Sequence, residues 1–177
     1  MIGRGAAPPL LALRPLAVAD AGAMAEVLAD SLLYDYTGGT PPTRQELERQ
    51  YAAQVRGGPA DGSARWLNLL VLLGRERRPI GFVQATLPAG DDVAEIAWVI
   101  GRPWQGQGFG ARAARLLVAE VAGLGARRLV AHIHPAHPAS QRIAAALGLR
   151  PTDIVVDGEV RWAGAVVSGV ASAPGAG

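Results

Sequence analysis

One segment narrows the choice of fold more than any other: Trp98-Val99-Ile100-Gly101-Arg102-Pro103-Trp104-Gln105-Gly106-Gln107-Gly108-Phe109-Gly110-Ala111-Arg112. It reads as an apolar strand, a tight glycine loop and the start of a helix. Gly106, Gly108 and Gly110 fall within five residues. Glycine costs entropy in any regular element, so this cluster serves the backbone and not packing. Without Cβ atoms, successive N–H groups can turn inward. The helix behind them adds its own unpaired N–H groups and its positive dipole end. The product is a socket for a phosphate or pyrophosphate.

The chain of 177 residues is long enough for one domain with a real core, and half its residues are apolar. Net charge is only +2, and all 17 cations are arginine. The arginines are interleaved with 15 acids and form no long block, so a nucleic-acid partner is not indicated. Arg75-Glu76-Arg77-Arg78 reads as a solvated turn. With no cysteine, a thiolate nucleophile, a disulfide and thiolate metal ligands are excluded; with no lysine, so is a Schiff base. No stretch approaches the ~18 apolar residues that span a membrane. The short, proline-broken run Ala6–Leu13 does not read as a signal peptide, and the expected setting is cytoplasmic.

Periodicity and punctuation order the rest. A first strand is expected over Leu10–Leu16, then a helix Ala21–Asp30 with Asp20 as N-cap. Thr43 and Glu46 form a capping box for a helix to about Val55. Trp66–Leu73, Pro79–Leu87 and Val93–Ile100 read as three strands. A helix Phe109–Ala122 follows the loop, ended by Gly123 and Gly125. Arg128–His134 is the next strand, and Pro138–Leu147 the next helix, with Gly148 just past its end. Asp157-Gly158 signals a type I′ turn between two closing strands. Residues 1–9 are expected to be a flexible leader, 10–162 the domain, and 163–177 a flexible Gly/Ala-rich tail. This is an α/β chain with a mixed sheet.

The loop contains G-x-G-x-x-A, a dinucleotide fingerprint that is weak alone. A ribose-binding acid is wanted about 20 positions on, but the next strand ends Ala131-His132-Ile133-His134. A Walker A loop needs the lysine this chain lacks.

Gln105-x-x-Gly108-x-Gly110 resembles the acetyl-CoA signature of the GCN5-related N-acetyltransferase (GNAT) superfamily. Ala94–Ile100 is similar to the strand before that signature. His134-Pro135-Ala136-His137-Pro138-Ala139-Ser140, with Leu147-Gly148-Leu149, is similar to the later segment, where asparagine usually stands at His137. Leu11–Leu16 and Asp157–Trp162 also fit, and within the superfamily the chain looks closest to the ribosomal-protein-acetyltransferase-like branch. The resemblance implies a mixed central sheet with a splayed strand pair, flanked by about four helices at the positions above. It implies acetyl-CoA as co-substrate and no metal. Cofactor contacts fall on Trp98, Val99 and Ile100, on Gln105, Gly106, Gln107, Gly108, Phe109, Gly110 and Ala111, and on His137.

The resemblance also implies acetyl transfer to a primary amine, which needs a base, an oxyanion site and a proton for the thiolate. Glu95 stands where the family often has its base; a desolvated carboxylate there would act through a water, whereas one on the wet face of the sheet would not. The family's thiolate-protonating tyrosine falls at Ala144, so Ser140 is the expected alternative donor. His134 and His137 are open to cofactor, water or proton contacts, and His132 reads as a residue of the sheet face. Tyr34, Tyr36, Trp66 and Trp162 are candidates for the acceptor walls; Asp35, Glu46 and Glu48 read as surface acids and are not claimed as substrate ligands. The expected reaction is direct transfer in a ternary complex, since no cysteine is present for a thioester intermediate. The alternatives are a non-catalytic acyl-CoA-binding module, or the same chemistry on a protein N-terminus in place of a small amine. No nucleic acid or membrane partner is expected, and the chain is expected to be a monomer or homodimer.

Overall fold

The computed structural model describes residues 9–166. The expected leader and tail lie almost wholly outside them. A seven-stranded mixed sheet forms the centre: β1 (Leu11–Pro15), β2 (Ala64–Leu73), β3 (Arg78–Pro88), β4 (Val93–Ile100), β5 (Arg128–Ile133), β6 (Arg150–Val156) and β7 (Glu159–Ala165). Their spatial order is β1-β2-β3-β4-β5-β7-β6. Helices α1 (Ala21–Val27) and α2 (Arg44–Gln54) cover one face; α3 (Phe109–Gly123) and α4 (Pro138–Ala146) cover the other.

Alternation along the strands feeds two cores. Ala94, Ile96 and Ile100 of β4 pack with Leu129, Ala131 and Ile133 of β5 against Ala113, Ala114, Leu117 and Val121 of α3. On the opposite face Met24, Val27, Leu47 and Tyr51 close over Leu70 and Leu72. Each fully buried leucine stabilises the fold by roughly 1.5–3 kcal/mol of transfer free energy.

The middle of the sheet positions the site. β4 and β5 are parallel, but only Val93, Ala94 and Glu95 pair, with Arg128, Leu129 and Val130. Arg128 clamps this end through Asp92 at 2.8 Å and Asp91 at 3.2 Å. Beyond Glu95 each strand keeps only its outer neighbour. Trp98–Ile100 stay paired to Gly81–Val83 of β3, while Ala131–Ile133 stay paired to Val160–Trp162 of β7. Gly81 permits the first of these, because a Cβ there would overlap the Val99 carbonyl oxygen. The pair therefore splays, as the resemblance implies.

Several elements differ from expectation. α1 stops at Val27, three residues before Asp30, and a 3-10 turn over Ser31–Tyr34 follows. Asp20 does not cap it; its carboxylate accepts from Ala17 N at 2.7 Å and pairs with Arg14 at 2.7 Å. Gly123 is the last residue of α3, and Gly125, at φ +97°, makes the turn. β7 runs on to Ala165 because Gly164 fits against Gly148 O, where a Cβ would sit 2.9 Å away. Asp157 and Gly158 both have positive φ, as the type I′ signature requires.

Candidate active site

The splay opens a cleft of about 1150 Å³ that runs from the glycine loop, past the parted strands, to the underside of α2. It gathers Trp98, Val99, Ile100, Gln105, Gly106, Gly108, Phe109, Gly110, Ala111, His137 and Ser140. Glu95 and Gln107 are not part of its lining.

At one end the loop is shaped for an anion. Gly106 and Gly108 have φ of +74° and +79°, and the space where their Cβ atoms would stand is open. Among the described residues no backbone acceptor takes the N–H of Gly106, Gln107 or Gly108. The first N–H groups of α3 add to this cradle. The loop's glutamines bond back to nearby backbone instead. Gln105 donates to Ile100 O at 2.9 Å, and Gln107 donates to Pro103 O at 3.1 Å. Phe109 is buried in the core although it also borders the cleft. Gly110 has a different reason: a Cβ would press on Ile143 Cδ1 at 2.8 Å, where α3 meets α4. The sequence reading missed Arg102 and Arg142, which also line the cleft, Arg102 lying 3.7 Å from Asp30.

Along the middle, the β5-facing edge of Ile96–Ile100 has no strand partner. Such an edge offers backbone donors and acceptors to an extended amide chain. Across from it Ser140, near the start of α4, makes no side-chain hydrogen bond among the described residues and faces the cleft. Ala144, one turn on, is 0% exposed within the core. A tyrosine side chain at that position would have to displace core packing before it could reach the cleft.

The far end is roofed by aromatic rings. Tyr36 stacks on His137, centroids 4.4 Å apart, and lies 5.6 Å from His134. Burial, and then the neighbouring His134, lower the pKa of His137 below the ordinary histidine value. The floor is polar and neutral: Gln84 Nε2 donates to Asn68 Oδ1 at 2.8 Å. Tyr51 closes the end from α2, its hydroxyl buried without a partner among the described residues and its pKa pushed up to about 12, mainly by burial. These floor residues escaped the sequence reading, because Tyr51, Asn68 and Gln84 come from three elements with no motif linking them.

The remaining candidates disperse. Tyr34 and Tyr36 line the cleft; Trp66, Trp162 and Asp35 do not. Glu46 is used in the α2 capping box, and Glu48 pairs with Arg44 at 2.8 Å. Of the two readings left open for Glu95, the wet face holds, since its side chain is 58% exposed. Its Oε1 lies 3.3 Å from Nδ1 of His132, whose own side chain is 22% exposed and lines the cleft. Among the described residues no His/Asp/Glu group is arranged to hold a metal, and no helix is long and apolar enough to cross a membrane.

Comparison with known proteins agrees with this geometry. No curated protein matches the sequence. An acetyltransferase from Thermus thermophilus superposes with a TM-score of 0.71 at 23% identity, covering 88% of this chain and 96% of its own. An aminoglycoside acetyltransferase in complex with coenzyme A gives 0.71 at 18%, covering 88% and 95%. A spermidine N-acetyltransferase from Vibrio cholerae, in complex with CoA and spermine, gives 0.69 at 18%, again covering 88% and 95%. At these identities the likeness is one of fold. The acetyltransferase (GNAT) domain family matches residues 11–150, the stretch that carries the parted strands, the glycine loop and α4. The chain belongs to the GNAT family and is an acetyltransferase.

Proposed function

We propose that the protein transfers the acetyl group of acetyl-CoA to a primary amine of a small molecule, directly and within one ternary complex. The observation that carries this reading is the continuity of the cleft: anion cradle, open strand edge and roofed polar end follow one another without a break. The cradle of Gly106 and Gly108, with Arg102 and Arg142 in the same lining, fits the pyrophosphate of CoA. The edge of Trp98–Ile100 fits the pantetheine amides, and His137 lies where the cofactor arm meets the acceptor end. Ser140 lines the cleft and is the candidate to hydrogen-bond the departing sulfur, while Glu95, itself outside the lining, adjoins the cleft through His132. With no cysteine, a thioester enzyme intermediate is not available, which supports direct transfer. Among structural neighbours, one is named for aminoglycosides and another for spermidine.

A small amine is favoured over a protein N-terminus by the roof. Tyr36 stacks on His137 in the lining, and among the described residues Glu159 is the one carboxylate there, so the cleft offers a peptide no acidic groove. The test is a thiol-release screen with acetyl-CoA over amino sugars, polyamines, amino acids and N-terminal peptides. Turnover of a small amine supports the reading. Turnover of peptides alone moves the acceptor to a protein N-terminus. Tight CoA binding with no turnover of any amine leaves an acyl-CoA-binding module.

A further inference from the structure

Glu95 faces a difficulty as a base acting alone. It stands outside the cleft lining and is mostly in water, so it has no direct path to a bound amine. His132 does have one. It is next to Glu95 across the last paired rung of β4 and β5, where Glu95 pairs with Val130, and it takes the first position on that face after the strands part. Its Nδ1 approaches Glu95 Oε1 to 3.3 Å, and its ring reaches the cleft. One nitrogen is thus engaged by a carboxylate while the other end of the ring is directed elsewhere. A carboxylate that fixes the tautomer of an imidazole, and supports the charge it acquires, is a recurring way to build a general base.

We propose that His132 is the general base of the reaction and Glu95 its positioning residue. This rests on the amine-acetylation reading above. The step balances as follows. His132 Nε2 takes one proton from the acceptor nitrogen. The nitrogen lone pair forms the bond to the acetyl carbon. The carbon–sulfur bond breaks, and its electrons leave on the thiolate, which takes a proton from solvent or through the Ser140 hydrogen bond. The imidazolium then returns its proton to water at the cleft mouth. Three other groups bear on His132. Arg161 is its register partner on β7, and its buried Nε has no hydrogen-bond partner among the described residues. His134 follows just past the end of β5, and Glu159 lies two residues from Arg161 on β7.

The experiment uses the best amine from the thiol-release screen and follows kcat/KM against pH. His132→Gln is expected to lower kcat/KM by roughly 10²–10⁴-fold, the range for a positioned acid–base group. It should keep the CoA-induced rise in Tm, which shows that the fold and the cradle are intact. Glu95→Gln should cost less and move the acid limb to lower pH, because the imidazolium loses its partner. Added imidazole should partly restore His132→Ala, an effect that a merely structural histidine would not show. The proposal is overturned if His132→Gln stays within about threefold of the parent with the same pH profile, or if Glu95→Gln abolishes turnover and His132→Gln does not. If the parent enzyme turns over no amine, the functional reading fails and this step fails with it.

Discussion

Single residues in this protein are decided by where they stand along the cleft. Ser140 is near the start of α4 with its hydroxyl free of hydrogen bonds among the described residues. A hydrogen bond to a charged group is worth about 1.5–3 kcal/mol. Ser140→Ala should therefore slow kcat by roughly tenfold to a hundredfold while leaving CoA affinity nearly unchanged, as measured by steady-state kinetics beside CoA titration. A parental rate would place the thiolate's proton elsewhere. Gly108 is the clearer case, because its φ of +79° is one that a branched side chain rarely adopts. Gly108→Val should abolish the Tm rise that CoA produces by binding the native state. Full CoA affinity in that variant would remove the loop from the binding site.

At the scale of elements, caps and clamps matter more than propensity. α2 begins with a complete capping box, Thr43 N donating to Glu46 at 2.7 Å while Glu46 N donates back to Thr43 at 3.3 Å. This box also holds Glu46 below the ordinary carboxylate range. Thr43→Ala should cost about 1 kcal/mol of stability, a typical N-cap loss, read from urea denaturation. Since α2 carries Tyr51 into the cleft, the same variant should weaken acceptor binding before it weakens CoA binding. The β4–β5 pair shows the opposite arrangement, clamped at one end by Arg128 and released at the other. That release is what lets one strand edge serve a ligand instead of a neighbouring strand.

For the whole molecule, the roof of the cleft ties stability to pH. Native His137 holds its proton less tightly than the unfolded chain does, because it is partly buried and faces His134. Between the ordinary histidine value of 6.5 and the lower native value, the unfolded chain takes up a proton that the native state refuses. The stability present above pH 6.5 should therefore fall as the pH drops through that window, then level off below it. His137→Asn should flatten this part of the Tm profile. An unchanged profile would show that His137 is not the group responsible.

What the sequence determined by itself was everything local or carried by a motif. The Thr43/Glu46 box, the Asp157-Gly158 turn, the full span of β4 and the glycine loop all depend on residues within a few positions of one another. Their φ preferences and hydrogen bonds are set before any tertiary contact forms. The parted strand pair also followed, through resemblance, from the loop and its flanking segments. Tertiary structure alone decided the rest. Asp20 looked like a helix cap but is taken by Arg14 of β1, and Ala144 looked like an empty catalytic position but is filled by the core. Glu95 could be read as desolvated or as wet, and its carboxylate stands mostly in water. His132 looked like an ordinary face residue, yet it is the one of the pair that reaches the cleft. Exposure at such positions depends on where two strands stop pairing. That point is fixed by Gly81 on β3, by Arg128 at the clamped end and by the Val160–Trp162 ladder on β7, partners that lie too far along the chain for any local pattern to reveal.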